Sequence, residues 1–463
     1  MSMSSINPPS PIGRRLILLM PDFIRRRVEQ RYNLQQAVVN VGWLFFDKGL
    51  RMGVGLIVTA WIARLLGPEQ YGVWNYAIAF AALFGTLATL GLDGIVVREV
   101  VTSPESKYEI LGSAFLLKLG GGVIAFCASS ALMLALKPGS VLLHYLLVLT
   151  AGAFLFQPFE VIDLYFQSRV LSKHSILAKD TAFVVVTLLR IGLIISSASL
   201  LAFAGAALLE VVLGAAFLIV AYAIHGESIR RWMARTSVAM KLVRDSWPLV
   251  FSGLVVMIYM RIDQIMIGEM IGEREVGLYS AAVRLSELWY FVPMAIAGSM
   301  FPRIVELRMS DMKQYTRRMQ QMYDFLTWSS VAGALVLSFF ASPIIHMLYG
   351  KQYEEAAGIL SVHVWTGVFV SLGVASGKHL LAENLTAIAF YRSASGAIVN
   401  VLANFLLIPR YGVIGAAVST LFSQMLAAYG FDIVNVSTRR MFLMKTKSIL
   451  FFNAFKLAYQ RNA

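Results

Sequence analysis

Cysteine is nearly absent from this sequence, and charged residues are scarce. Cys127 is the single cysteine among 463 residues, which excludes a disulfide within the chain and a metal site built from several thiolates. Charged residues make up 14% of the chain and hydrophobic residues 58%, and the mean hydropathy is +0.69. A soluble domain has about 25% charged residues. This composition cannot cover a soluble surface, and it predicts an all-α polytopic protein of the inner membrane.

Enzyme motifs are also missing. The sequence contains no HExxH, no P-loop, no GxSxG and no GxGxxG between a strand and a helix. We therefore expect no enzymatic activity, no cofactor and no bound metal. Arg14 and Arg15 precede only a short apolar run, which does not resemble a secretory signal. The N-terminus is predicted to be a basic segment on the inner leaflet, with a disordered tail as the alternative.

Long apolar runs dominate the rest of the chain. A membrane-spanning helix needs about 20 such residues. Runs and breaks predict twelve spans, with the weakest boundary between the fifth and the sixth. These spans are 40–66, 72–97, 111–136, 141–168, 174–198, 201–225, 247–271, 277–302, 322–349, 355–381, 385–408 and 412–436.

The net charge of +14 is explained by topology. An even number of spans puts both termini on one side, and most Lys and Arg residues lie in the two tails and in the loops on that side. The positive-inside rule makes this side cytoplasmic. Contact with anionic lipids accounts for the basic excess, so no nucleic-acid partner is expected.

An internal repeat divides the chain. IARLLGPEQYGVWNYAIAF aligns with IGEMIGEREVGLYSAAVRL, and Gly67 corresponds to Gly272 and Gly72 to Gly277 at a constant offset of 205 residues. Six spans separate the copies, so they have the same orientation, a parallel repeat of the kind seen in transporters. The predicted organisation is a basic cytoplasmic N-terminal segment, an N-lobe, a cytoplasmic linker, a C-lobe and a basic cytoplasmic tail, at 1–35, 36–225, 226–246, 247–436 and 437–463.

The first span carries an unusual group of charges. Asp47, Lys48 and Arg51 lie within an apolar run, where a charge at mid-membrane depth costs about 2.5–3.5 kcal/mol. Asp47 and Arg51 share a helix face, so they could neutralise each other while Lys48 extends to the interface. Alternatively, Lys48 and Arg51 line a site for an anionic substrate, and Asp47 takes part in ion coupling.

Two further groups lie in the seventh and eighth spans. Arg261 and Asp263 are two residues apart, so on a helix they point in different directions and each needs another partner. Arg284 and Glu287 are three apart and could pair. The alternatives are helix–helix ion pairs, or substrate binding by the arginines and ion coupling by the acids.

Glu160 and Asp163 in FQPFEVIDLYFQS share a helix face. They are candidates for ion coupling, and a solvated helix end is an equal alternative. Several lone polar residues in apolar runs are predicted to make inter-helix hydrogen bonds. These residues are Lys118, Arg190, Glu210, His363 and Arg392.

The strings ARLLGPEQYG and LIPRYGVIGAA are specific, and FDKGLRMGVGL, RIDQIMIG and VGLYSAAVRLSE accompany them. Across residues 36–436 the sequence resembles the O-antigen and polysaccharide repeat-unit flippases of the multidrug/oligosaccharidyl-lipid/polysaccharide exporter superfamily. The resemblance implies two six-helix lobes in a V, alternating access and a cationic cavity. Related lipid II flippases carry an essential arginine in the first helix, and Arg51 falls in the corresponding region.

The resemblance also implies a function. Such proteins are flippases for undecaprenyl-pyrophosphate-linked oligosaccharides, with membrane lipids around them and a polysaccharide polymerase or export machinery as a candidate partner. A cation-coupled multidrug exporter of the same superfamily is the alternative, and the surplus of Arg and Lys in the spans disfavours it. A membrane-bound polysaccharide polymerase is a third, weaker hypothesis, since no large loop is predicted on the outer side.

Overall fold

The structure is a computed structural model that describes residues 32–383 and 385–450, with side chains at 49, 51–383, 385 and 387–450. Over these residues the chain forms helices and no strands. Residues up to Ile57 and residues from Val58 onward form two compact units. The predicted N-terminal segment lies mostly outside the described residues.

The described part of the first half, from residue 32 onward, contains seven α-helices. Short 3-10 turns connect some of them, notably Ala153–Leu155 and Gln157–Glu160, which interrupt the predicted fourth span at Pro158. The helices are α1 (Tyr32–Thr89), α2 (Asp93–Thr102), α3 (Lys107–Leu136), α4 (Val141–Gly152), α5 (Val161–Ser168), α6 (Ser172–Ile195) and α7 (Leu200–Ile224).

Nine α-helices are described in the second half, up to residue 450. A 3-10 turn at Leu288–Tyr290 breaks the predicted eighth span just before Pro293, a residue type that kinks or breaks helices. The helices are α8 (Thr236–Met270), α9 (Glu273–Glu287), α10 (Phe291–Ser310), α11 (Met312–Phe339), α12 (Ala341–Tyr349), α13 (Ala356–His363), α14 (Thr366–Ala382), α15 (Thr386–Ala428) and α16 (Arg439–Ile449).

Nine helical segments in the described part of the chain are long and apolar enough to cross a membrane. Two of these segments contain two predicted spans each, joined at Gly67 in α1 and at Gly412 in α15. The remaining predicted span corresponds to α6, which has the length but carries Lys173, Lys179, Asp180 and Arg190. About twelve spans are therefore consistent with the structure.

The repeat is visible in the backbone. Gly67 has φ +77° and Gly272 has φ +151°, values that glycine adopts at much lower cost than other residues. Each glycine ends one helical run and begins the next. At the same offset, the turn Gln157–Glu160 corresponds to 362–365, where α13 ends and α14 begins. Breaks in the helices thus recur with the repeat.

Each half has its own buried apolar cluster. The first cluster joins α2, α3, α5, α6 and α7 and includes Leu242 of α8, and the second joins α10, α11, α14 and α16. Two observations refine the predicted segments. Helix α8 begins at Thr236, within the predicted linker, and the predicted tail contains α16, whose Met441, Met444 and Lys445 are buried.

Candidate functional site

The best-formed polar site surrounds Asp263 on α8. Its carboxylate is 4% exposed and accepts hydrogen bonds from three neighbouring side chains. Asn404 donates to Oδ1 at 2.5 Å, while Tyr279 at 2.6 Å and Thr420 at 2.5 Å donate to Oδ2. A buried carboxylate is costly unless it is hydrogen-bonded or paired. The Asp263 cluster, which we define as Asp263, Tyr279, Asn400, Asn404 and Thr420, links α8, α9 and α15.

Two amide atoms of the Asp263 cluster lack a partner. Asn404 Nδ2 donates to Asn400 Oδ1 at 3.3 Å, but Asn404 Oδ1 and Asn400 Nδ2 are buried without a hydrogen bond. Buried polar atoms normally have partners. Rotating an Asn side chain exchanges its oxygen and nitrogen, so the cluster can present several oxygens around one carboxylate. Such an oxygen set suits a hard cation.

The charge of the Asp263 cluster limits which cation it could hold. Among the described residues no group of three or more His, Cys, Asp and Glu side chains could hold a metal ion. One carboxylate with neutral oxygens balances a single positive charge, which fits a monovalent ion better than a divalent one.

Arg261 and Asp263 do not pair, as their spacing predicts. Asp263 is enclosed by its cluster, whereas Arg261 is partly exposed. On α9, Arg284 is exposed between the buried residues Val283 and Leu285. Glu287 lies within electrostatic range of both arginines. Neither guanidinium makes a hydrogen bond or a close ion pair with another described residue, so both cations are available to an anionic ligand.

Asp47, Lys48 and Arg51 lie on α1 in the unit that ends at Ile57. The side chains of Asp47 and Lys48 are outside the described residues, so the pairing alternative is not tested. Arg51 is half-buried and has an interaction partner. The roles assigned to these three residues stay predictions.

Glu160 and Asp163 meet a cation. Lys179 Nζ on α6 lies 2.7 Å from Asp163 Oδ2 and 3.9 Å from Glu160 Oε1. Glu160 is 46% exposed in its side chain. This arrangement favours a helix–helix ion pair near a helix end over ion coupling, which remains a hypothesis for these two acids.

The lone polar residues make the inter-helix contacts predicted for them. Lys118 pairs with Asp93 at 2.5 Å, and Arg190 pairs with Glu210 at 2.9 Å. In the second half, Arg392 donates to Ser376 Oγ at 2.6 Å, and His363 Nδ1 lies 2.6 Å from Ser286 Oγ.

The two halves meet near Gly67 and Gly272. Tyr353 donates to the Ala63 carbonyl at 2.9 Å, and Gln352 donates to the Arg64 carbonyl at 2.6 Å. Glu269 at the end of α8 accepts a hydrogen bond from Tyr76 and lies 3.1 Å from Lys137 Nζ. These contacts hold the middle of α1, around its kink at Gly67, and the end of α8 against the opposite half.

The partners of Asp263 were missed in the sequence. Asn400 and Asn404 are four residues apart in the apolar run VNVLANFLLI, and this spacing places two amides on one helix face. That signal could have identified them. Thr420 and Tyr279 give no comparable signal, because their distance from Asp263 depends on how α8, α9 and α15 pack.

Comparison with known proteins gives matches along most of the chain. Residues 37–308 match the family described as polysaccharide biosynthesis protein, and residues 248–406 match MatE. The chain is similar to the probable flippase AglR of Haloferax volcanii, at 32% identity over 186 residues that cover 37% of each protein. The match therefore spans about a third of AglR. A putative O-antigen transporter of Shigella flexneri is 20% identical over 401 residues, covering 82% of this chain and 93% of that protein.

Solved structures share the fold. An inward-facing multidrug resistance MATE family transporter of the MOP superfamily has a TM-score of 0.71 at 16% identity, covering 86% of this chain and 96% of that one. The lipid II flippase MurJ in an inward closed conformation has a TM-score of 0.66 at 14% identity, covering 89% and 92%. Identities this low show the fold alone, and this fold is the one predicted from the sequence.

Proposed function

Because the chain belongs to the polysaccharide biosynthesis protein family, we propose that it is a flippase for undecaprenyl-pyrophosphate-linked oligosaccharide repeat units. It moves them across the cell inner membrane for O-antigen or exopolysaccharide synthesis. The observation that carries this proposal is the match to the putative O-antigen transporter, which extends over 93% of that protein. Both termini lie in the cytoplasm, and a polysaccharide polymerase or export machinery receives the product.

The mechanism is alternating access between an N-lobe and a C-lobe at the predicted boundaries 36–225 and 247–436. A saccharide attached to a polyprenyl chain cannot leave the membrane, so only its polar part passes through the protein. The recurring turns at Gly67 and Gly272 support two equivalent lobes. The contacts of Tyr353, Gln352 and Glu269 lie at the outer ends of the spans in this topology.

Arg261 and Arg284 bind the pyrophosphate. Guanidinium groups form bidentate hydrogen bonds with phosphate oxygens. Neither of these two guanidinium groups makes a hydrogen bond or a close ion pair with a described residue. Glu287 beside them limits the positive charge and helps to release the anion. Arg51 and Lys48 have the same role on the evidence of their sequence positions, although an internal pair of Arg51 with Asp47 is the competing interpretation.

The Asp263 cluster binds a monovalent cation, with sodium as the first candidate. Its oxygen-rich composition and its two unpartnered amide atoms support this assignment. Since the cluster joins α8, α9 and α15, occupancy stabilises one arrangement of these helices, which couples an ion gradient to transport.

Surface polysaccharide in cells tests the anion-binding role. Arg261→Ala and Arg284→Ala are expected to lower polysaccharide output severalfold at matched protein levels. Arg303→Ala is the control, because Arg303 is 61% exposed and pairs only with Glu306. Normal polysaccharide output from Arg261→Ala and also from Arg284→Ala would contradict the proposed cationic site.

A cation-coupled multidrug exporter is the second candidate function, since the MATE transporter has the higher TM-score of the two structures described. Export of cationic drugs favours acidic binding surfaces, whereas Arg261 and Arg284 are basic. Overexpression that raises resistance to cationic drugs, with no effect on polysaccharide, would favour this alternative.

A further inference from the structure

Helices α8 and α15 enclose an apolar cleft between the middle turns of α8, residues 247–256, and the first turns of α15. Further along, the helices are in close contact. A Cβ on Gly396 would lie 3.3 Å from the Tyr259 ring, and Asn404 bonds to Asp263. Towards their beginnings they diverge around a cavity of about 720 Å³. Ligand pockets typically have volumes of about 300–1,000 Å³, so this cavity can hold a substantial part of a ligand.

The walls of the cleft are mostly hydrocarbon and aromatic. They include Trp247, Phe251 and Val256 on α8 and Ala387, Phe390 and Tyr391 on α15. Trp247 is 57% exposed and Tyr391 is 61% exposed, so the rings face open space. Ser252 and Ser393 are polar lining residues. Such walls offer few hydrogen-bonding groups for a saccharide or a pyrophosphate, and their largely apolar surface suits a hydrocarbon chain.

A cation lies on α8 one helical turn before Pro248, which lines the cleft, and we call this end of the cleft its mouth. Arg244 precedes Pro248 and Ser252 at intervals of four residues and therefore lies on the same face of α8. Its side chain is exposed, and no hydrogen bond or ion pair of it occurs among the described residues. Its neighbours are engaged: Asp245 bonds to Arg98 at 2.5 Å, and Lys241 bonds to Glu99 at 2.5 Å.

The first half of the chain packs against α8 beside the cleft. A Cβ on Gly253 would lie 2.7 Å from Thr86, and a Cβ on Gly91 would lie 2.8 Å from Cβ of Leu249, which also lines the cleft. The lining residues come from α8 and α15 and include none from the first half, so the first half borders the cleft without filling it. Val256 at the inner end of the cleft lies seven residues before Asp263, which is about 10 Å along the helix.

We propose that this cleft is the loading site for the substrate in the cytoplasmic leaflet, with the first isoprene units between α8 and α15 and the pyrophosphate at Arg244. The inference rests on the proposed function and adds a binding site for the lipid part of the substrate. Charge complementarity decides the occupant, because Arg244 at the mouth is positive and makes no ion pair with a described residue, and because the walls are apolar. Loading here also places the polyprenyl chain of the substrate next to α8 and α15, two of the helices that form the Asp263 cluster.

Photo-crosslinking of the full-length protein tests the occupant. Phe251 is replaced by p-benzoylphenylalanine, and the protein is placed in nanodiscs of phosphatidylethanolamine and phosphatidylglycerol containing undecaprenyl pyrophosphate. The control position is Phe405, which lies on α15 outside the cleft lining and is 67% exposed. We expect the undecaprenyl adduct at position 251 at several times its yield at position 405. Equal yields, or phospholipid adducts alone at position 251, would overturn the proposal.

The cation is tested separately. Arg244→Gln should weaken binding of undecaprenyl pyrophosphate about tenfold, the loss of about one charge-assisted hydrogen bond. Arg230→Gln removes an exposed arginine on the same cytoplasmic side and should change nothing. Transport of a lipid-linked saccharide without crosslinking at position 251 would reject the loading site and leave the proposed function intact. Absence of both transport and binding would reject the proposed function itself.

Discussion

Gly72 and Gly277 make the same contact in the two halves of the chain. A Cβ on Gly72 would lie 1.7 Å from the carbonyl oxygen of Glu273, and a Cβ on Gly277 would lie 1.9 Å from the carbonyl oxygen of Pro68. The four positions are related by the repeat offset, so each glycine packs against the turn that precedes the other. This reciprocity is typical of a two-fold axis, and it shows that the repeat provides a self-complementary contact.

Gly72→Ala should disturb this contact. The added methyl group would overlap a backbone carbonyl that cannot rotate away, and overpacking costs typically about 1–3 kcal/mol. We expect a lower melting temperature in detergent for Gly72→Ala and for Gly277→Ala. Gly120→Ala is the matched control, since a Cβ there meets nothing within 4 Å. Unchanged melting of both variants would contradict the close approach of the turns.

Asp263→Asn should remove the response of the protein to sodium. Sodium binding to the folded state raises the melting temperature by mass action, and the amide lacks the charge that holds the cation. Wild-type protein in sodium chloride should therefore melt at a higher temperature than in choline chloride at equal ionic strength. The variant should show no difference, while Glu306→Gln, at an exposed carboxylate, should behave as wild type. Sodium stabilisation that persists in Asp263→Asn would exclude the Asp263 cluster as the ion site.

Glu269→Gln should loosen the contact between the halves. The change removes the charge that Lys137 and Tyr76 engage. The reporter is Tyr71→Cys in a Cys127→Ser background, which places one thiol at a buried position of α1. With Glu269→Gln added, this thiol should react severalfold faster with a membrane-impermeant maleimide added outside than it does with Glu269 in place.

Glu355→Gln is the control for this labelling experiment. Glu355 is exposed and pairs with Arg274 within the second half at 2.8 Å. The hydrogen bond from Arg274 holds the pKa of the Glu355 carboxyl below its usual value. Glu355→Gln therefore also removes a negative charge that is paired with a basic residue, but this pair lies within one half. Equal labelling in both variants would show that Glu269 does not hold the halves together.

Lys445→Met should destabilise the C-terminal helix α16. Lys445 and Asp432 form a pair at 2.5 Å in which both side chains are fully buried, and Lys445 also donates to the Ala428 carbonyl at 2.5 Å. Removing one partner of a buried pair costs about 3–5 kcal/mol, because an uncompensated charge remains. Melting should fall by several degrees, whereas Lys447→Met at an exposed position should be neutral. Addition of Asp432→Asn should restore part of the loss.

The sequence predicts most of the fold because its signals are local. Apolar runs locate the spans, Gly67 and Gly272 mark the turns, and Pro293 marks the break that follows Leu288–Tyr290. The sequence does not predict the start of α8 at Thr236, because Thr236 falls within residues 226–246, whose polar and charged residues resemble a surface linker. Burial of Lys445 depends on a partner thirteen residues away across a turn.

The site was predicted only in part, for a related reason. Cost arguments identify Asp263 and Arg261 as residues that need partners, but they do not identify those partners. Asn404 and Thr420 bond to Asp263 although they lie 141 and 157 residues away in the sequence. A hydropathy pattern locates helices but does not predict which distant helices pack together. Lys179, which contacts both Glu160 and Asp163 from the next helix, is likewise a partner that their spacing does not reveal, and the ion-coupling role of these two acids stays a prediction.

The central claim is transport of a lipid-linked oligosaccharide, and reconstituted flipping measures it directly. Purified full-length protein in liposomes would receive an undecaprenyl-pyrophosphate-linked saccharide on one leaflet, and a saccharide-cleaving enzyme outside would report its translocation. We expect protein-dependent translocation that an imposed sodium gradient accelerates, and that Arg261→Ala combined with Arg284→Ala reduces at least tenfold. Translocation no faster than in protein-free liposomes, with or without the gradient, would contradict the account.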